Sequence, residues 1–275
     1  MSASIVARRE VVAFMEDADQ PHPNAIHSTS GARDYGFRGA LIGGVTAYGW
    51  TVSTIVQALG EEWLDSGWVE LRFRKPMHPG DALTVAVDAT GTLTVHRSAE
   101  LYVEAELCME GRVGLGAAAW FPSLARPESS APTAVEEKAV LSLEHAPVAR
   151  DLASTDVWLG AAEASTFSRE KERETLACFY GPRPRVHPAW LAEQPIRLLH
   201  HSYDYGPSIH TESLIQHLAP AHADQRIGVS GHCVAAFERK RHHYIVNDCL
   251  IADEGGCAVA ALRHTAIFRV AAKKS

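Results

Sequence analysis

Two histidines five positions apart, His22 and His27, enclose an asparagine in the run HPNAIH near the start of the chain. Histidine titrates close to neutrality, so a positioned pair suits proton transfer at physiological pH. Asn24 carries an amide that can orient a neighbouring ring or hold its own loop by bonding to backbone. Each histidine also has a plain structural reading. His27 can cap the loop, and His22 can face solvent between Pro21 and Pro23. Just downstream, Gly36, Gly39, Gly43 and Gly44 lead into an apolar run that ends at Leu59. Glycines leave backbone amides open to approach, and amides at a helix start can meet developing negative charge. A second set of residues, His187, His210 and Glu212, stands in the C-terminal half. Glu212 has the plain reading of an acidic residue favoured by a helix dipole.

These residues need elements to carry them. The apolar run over 40–59 is too long for a strand and reads as a helix buried on nearly all sides. Alternating runs follow at 68–77 and 82–91, joined by the turn Pro79–Gly80–Asp81, and the pattern continues to residue 121. The segment 122–147 is rich in proline, serine and alanine and cuts the chain near its middle. After it, 187–201 reads as a helix, 208–220 as a shorter helix, and the remainder as strands with a hairpin turn at Asp253–Gly256. Each half is thus a helix followed by antiparallel strands, which is an α+β arrangement repeated once. The expected division is a first unit at 1–125, a linker at 126–147 and a second unit at 148–275.

The residues Asn24–His27, Ala32 and Tyr35–Gly39, the stretch VELRFRKPMHPGDALTV at 69–85, and GPSIHTES with RHTAIFRV in the second half carry a resemblance. Together they resemble the MaoC-like acyl dehydratases and hydratases. The resemblance implies a double hotdog: two central helices, each wrapped by a curved antiparallel β-sheet. It implies reversible hydration of a 2-enoyl thioester, with His27 as general base and the Gly43/Gly44 amides on the enolate oxygen. Two departures stand out. The family's aspartate falls on His22, and its helix-opening His–Gly pair falls on Gly43–Gly44. His22 could replace the aspartate, because neutral imidazole both donates and accepts. In the second unit His187 corresponds by order to His27, His210 to the helix-opening histidine, and Glu212 is a candidate for the missing carboxylate. Tyr35 and Arg38 are placed at the mouth of the site, with Arg38 a candidate for a coenzyme A phosphate. Asp204 and Tyr205 are candidates to shape the pocket. Asp17, Asp19 and Asp34 lie near the motif but not at its spacing.

Other classes fit less well. The net charge of −7 argues against a nucleic-acid binder, and the basic run at 239–243 reads as a hairpin facing solvent. Five cysteines without CxxC spacing give neither a disulfide framework nor a zinc site. There is no HExxH and no GxGxxG, so neither a metal nor a dinucleotide is expected, and coenzyme A enters as part of the substrate. The start of the chain has no signal-like apolar run and no segment suits a membrane span, so a cytoplasmic protein is expected. The substrate partner is an acyl-CoA or acyl-carrier-protein thioester, and the chain is expected as a monomer or homodimer. Competing readings on the same fold are a thioesterase using Glu212, a diverged isomerase or cyclase, and a non-catalytic acyl-thioester binder.

Overall fold

The computed structural model describes residues 3–16, 18–98, 105–127 and 131–271. Asp17, one of the carboxylates noted above, lies outside them.

The first unit begins with β1 (Ile5–Val12), a short turn of helix at Ala25–His27 and α1 (Thr29–Asp34). Two short helices follow, α2 (Gly44–Gly49) and α3 (Val52–Leu59), then α4 (Trp63–Ser66). Strands β2 (Gly67–Phe73), β3 (Ala82–Asp88), β4 (Thr92–Arg97) and β5 (Glu106–Leu115) complete it. The single helix expected over 40–59 is therefore two. Its start is held in the glycine turn, and Trp50 and Thr51 interrupt it. There the Thr51 amide and hydroxyl both bond the Tyr48 carbonyl, at 2.9 and 2.7 Å. The expected turn at Pro79–Gly80–Asp81 forms, with Gly80 at φ 88° and the Asp81 amide bonding His78 O at 3.1 Å.

Between the units, β6 (Ala139–Val140) pairs in parallel with β8 (Tyr203–Asp204). The second unit carries β7 (Arg150–Leu159), α5 (Ala161–Thr166) and α6 (Pro188–Ser202). Then come β9 (Ile209–His217), β10 (Gln225–Arg239), β11 (His242–Ala252) and β12 (Ala258–Arg269). The basic run forms the β10–β11 hairpin turn, where Lys240 and Arg241 adopt positive φ. Asp253–Gly256 forms the next turn, closed by the Gly256 amide on Asp253 O at 2.9 Å.

The helix expected over 208–220 is not there. Ile209–His217 is a strand, paired with both β2 and β12. Its backbone groups pair on both sides, and a register shift against β12 near His210 disturbs the alternation that would mark a strand in the sequence. His210 consequently opens no helix.

The strands join in one sheet in the order β1-β3-β4-β5-β2-β9-β12-β11-β10-β7. Numbered within its own unit, each half has the same order, first-third-fourth-fifth-second strand. The halves meet through their second strands, with Val69 opposite Ile215 and Arg72 opposite Glu212. This is a double hotdog whose two sheets are fused into one. A large core cluster runs from the α2–α3 helices to α6, including Tyr48, Ile55, Trp63, Leu71, Val85, Met109, Trp190, Leu191 and Ile215. Burial of that many large apolar side chains ties the units together.

Candidate active site

A cleft of about 1120 Å³ opens between the units. The first unit contributes the His22–His27 loop, Leu41–Thr46 and Phe73–Met77. The second contributes faces of α5 and α6, Tyr205, Ser208–Thr211 and His264.

His27 sits at the end of a 3₁₀ turn whose first residue follows Asn24. Its amide bonds Asn24 O at 2.9 Å, and its Nδ1 lies 2.7 Å from Leu41 O. A carbonyl only accepts, so Nδ1 carries the proton and Nε2 keeps its lone pair. The Leu41 amide in turn bonds Ile26 O at 2.8 Å, which holds the histidine loop against the glycine turn. The ring edge comes 3.8 Å from where a Cβ on Gly43 would stand. Burial pulls the His27 pKa below the usual 6.5; the Leu41 carbonyl opposes this and His22 adds to it. His27 is a neutral ring at pH 7, with one nitrogen fixed and one available.

His22 is exposed and meets His27 edge-on, with ring centroids 5.1 Å apart. The Asn24 amide donates to His22 Nδ1 at 3.0 Å. That nitrogen is also 3.1 Å from Asn24 O, but this oxygen already accepts from His27. The network assigns the His22 proton to Nε2. Asn24 itself reaches across the unit boundary. Its Nδ2 donates to Ser208 O at 2.8 Å, and its Oδ1 accepts from the Ser208 amide at 3.2 Å. Two bonds to one backbone unit fix Asn24, and through it the turn that holds His27.

Gly43 caps α2 with extended backbone, and the first α2 amides have no partner within the helix. Gly44 is pressed on His210: a Cβ there would lie 2.6 Å from His210 Nδ1 and 2.8 Å from His210 Cβ. His210 bonds Ser213 Oγ through Nε2 at 2.7 Å. Its ring lies 4.2 Å from that of His264 and 4.6 Å from that of Phe73. Burial, with His264 alongside, holds the His210 pKa far below the usual range, and burial brings His264 down to about 4. These two rings form a neutral floor beneath the glycine turn.

The other candidates lie elsewhere. His187 caps α6, accepting the Ala189 amide at 3.2 Å, and is 1% exposed. Its Nε2 is 4.0 Å from Glu174 Oε2, and it is absent from the cleft lining. Glu212 pairs with Arg72 at 3.8 Å on the sheet surface and does not line the cleft. It supplies no carboxylate to His27: the β9–β12 register shifts between Glu212 opposite Thr265 and His210 opposite Ala266, which breaks the alternation that would otherwise put both side chains on one face. Tyr35 packs with Ile26, Ala32 and Leu41 behind the loop. Arg38 is held by the buried Asp81 carboxylate, which Arg97 also contacts at 2.9 Å. Neither Tyr35 nor Arg38 lines the cleft.

Several lining residues were not singled out by motif: Glu163 on α5, and Trp190, Glu193, Arg197 and His200 on α6. The α6 residues recur every three or four positions, so a helical reading of HPAWLAEQPIRLLHH groups them on one face. Nothing in that face alone says that it meets a cleft. Among the described residues no cluster of three or more His, Cys, Asp or Glu could hold a metal ion. No helix among them is long and apolar enough to cross a membrane.

No protein-family model matches the chain, and no curated protein matches it. Solved structures do. A conserved hypothetical protein from Mycobacterium tuberculosis, described as a double hotdog fold, aligns over 97% of this chain and 96% of its own. Its TM-score is 0.61 at 12% identity. A MaoC-like dehydratase aligns over 97% of this chain and 98% of its own, with a TM-score of 0.58 at 13% identity. At these identities the likeness is one of fold.

Proposed function

We propose that the chain adds water to a 2-enoyl thioester of coenzyme A or a carrier protein, and reverses that addition, at His27. The observation that carries this reading is the state of one ring. His27 Nδ1 is fixed on Leu41 O at 2.7 Å, which leaves Nε2 as a neutral base beside the Gly43–Gly44 turn in the cleft.

The steps balance without a carboxylate. Nε2 takes a proton from water as the oxygen bonds to C3. The C2–C3 π electrons move toward the thioester carbonyl, giving an enolate. Amides of the Gly43–Gly44 turn face that oxygen. The enolate collapses as the imidazolium of His27 returns its proton to C2. His22 is placed to orient the water through Nε2–H, and Asn24 positions the loop through Ser208. The replaced aspartate therefore does not stop the reaction. A single histidine that shuttles one proton suffices, and its lowered pKa keeps it unprotonated at the start. The MaoC-like dehydratase among the structural neighbours supports this class of chemistry on this fold.

The test is a panel of short, branched, dicarboxylic and aromatic 2-enoyl-CoA thioesters, followed by mass spectrometry. The expected result is the mass gain of one water without free thiol. His27→Ala is expected to lower kcat/KM by about 100-fold or more. Thiol release without water addition would instead establish a thioesterase, and full activity in His27→Ala would remove the base assignment.

A further inference from the structure

Beyond the reacting centre, the cleft runs along the last turns of α6 to a stacked ring pair. His200 and Tyr205 lie face to face, with centroids 4.1 Å apart and planes within 7° of parallel. Both line the cleft. Neither the Tyr205 hydroxyl nor the His200 ring nitrogens have a hydrogen-bond partner among the described residues. The adjacent His201 differs, with its Nε2 2.8 Å from Thr133 O. Tyr205 and His200 present their polar edges to the cleft.

We infer that the acyl group taken by this cleft carries an uncharged oxygen function, a hydroxyl or a keto group, remote from the thioester and bound by Tyr205 and His200. The inference rests on the thioester part of the function proposed above. Three observations bear on it. First, stacking fixes both rings, so their polar edges are presented in a set direction rather than free to turn elsewhere. Second, both groups are neutral: burial raises the Tyr205 hydroxyl, and burial, with Lys138 adding and Asp204 opposing, lowers His200. A phenol and a neutral imidazole both donate and accept, which matches a hydroxyl or a carbonyl better than a carboxylate. Of the nearby cations, Arg197 is already paired with Glu193 at 3.2 Å, and the charge of Lys138 at His200 is opposed by that of Asp204. Third, the pair shares the cleft with His27 and is linked to its loop along the chain. Tyr205 precedes Ser208 by three residues, and Ser208 holds Asn24 of the His27 loop at 2.8 Å. A plain alkyl chain in this arm would strip water from two polar edges and return nothing. Sites built to bond a substrate oxygen discriminate strongly against the analogue that lacks it.

The experiment uses 2-enoyl-CoA thioesters of equal chain length that end in a methyl, a hydroxyl, a keto group or a carboxylate. The expected result is a kcat/KM about tenfold or more higher for the hydroxyl or keto tail than for the methyl tail, mainly through KM. Tyr205→Phe removes one oxygen and keeps the stack. It is expected to shrink that ratio to within about threefold. A second variant, His200→Phe, also keeps the stack and is expected to shrink the ratio in the same direction. Equal rates on all four tails, a preference for the carboxylate, or a ratio unchanged in both variants would overturn the inference. Calorimetry with the saturated thioesters of the same tails separates the two readings. Tighter binding of oxygenated tails with no water addition would remove the hydratase reading and keep this one. Water addition to every tail at one rate would do the reverse, and no thioester binding would remove both.

Discussion

His187 is the cap of α6, the place Gly43 holds at α2, whereas His27 stands upstream in its own turn, and the surroundings of the two histidines are opposite. Each follows a loop containing proline or precedes one, and each has a pKa lowered by burial. His27 gives Nδ1 to a carbonyl and presents Nε2 to a cleft. His187 accepts an amide at Nδ1 and points Nε2 at the buried Glu174, whose own burial is outweighed by His187 and by the amides of Leu176 and Thr175, so that its pKa is lowered. One ring is fixed at one nitrogen and open at the other. The other is enclosed as the cap of a 15-residue helix. A lowered pKa alone does not distinguish them; access does. The strand order is the same in both halves, while of these two histidines His27 lines the cleft and His187 does not.

The comparison can be broken most sharply by exchanging losses. His27→Ala is expected to lower kcat/KM by about 100-fold or more with little change in Tm. His187→Ala removes a buried ring and a helix cap and is expected to cost about 3 kcal/mol of stability. Its kcat per folded molecule should stay within about threefold of wild type. Paired denaturation and kinetic measurements check this, and a large kcat loss in His187→Ala would mean that the second loop shares the chemistry.

Gly44→Ala is the next largest effect. The added methyl meets His210 at 2.6 and 2.8 Å, atoms near the strand rather than at a free side-chain end. The expected cost is about 1–3 kcal/mol of stability, together with a fall in kcat as the glycine turn shifts. A stable, fully active variant would detach the turn from His210.

pH sharpens the comparison further. As the proposed base His27 acts in its neutral form, so the acid limb of kcat/KM is expected below the ordinary 6.5. The buried His187 also has a folded pKa below its unfolded value. Its stability contribution is present above about 6.5 and is lost as pH falls through the lowered folded value. His187→Gln is expected to flatten the dependence of Tm on pH in that window and to leave the acid limb of kcat/KM in place. The smallest effect belongs to Glu212. Its exposed pair with Arg72 is worth less than about 1 kcal/mol, and Glu212→Gln is expected to leave kcat/KM unchanged. A large loss there would return a carboxylate to the mechanism.

Much of the frame was legible in the residues. Apolar run lengths and the turns at Pro79–Asp81 and Asp253–Gly256 marked a helix and strands in each half, because turn chemistry and periodicity are local properties. The same local reading failed at 208–220, where a strand paired on both sides has its alternation disturbed by a register shift near His210. It also failed at Trp50–Thr51, where one hydroxyl and one amide converge on a carbonyl and split a helix.

The sequence by itself determined the composition of the site: a histidine pair around Asn24 ahead of a glycine turn, and a repeated α+β unit to carry it. Only the tertiary structure decided which histidines share a cleft. Joining β2 to β9 brings Ser208 to Asn24 and His210 to Gly44 across more than 150 residues of chain. The same joining leaves Glu212 on the sheet surface, and the packing of α6 encloses His187. Proton affinity and access depend on burial and on partners remote in sequence, and neither is encoded in the spacing of the residues themselves.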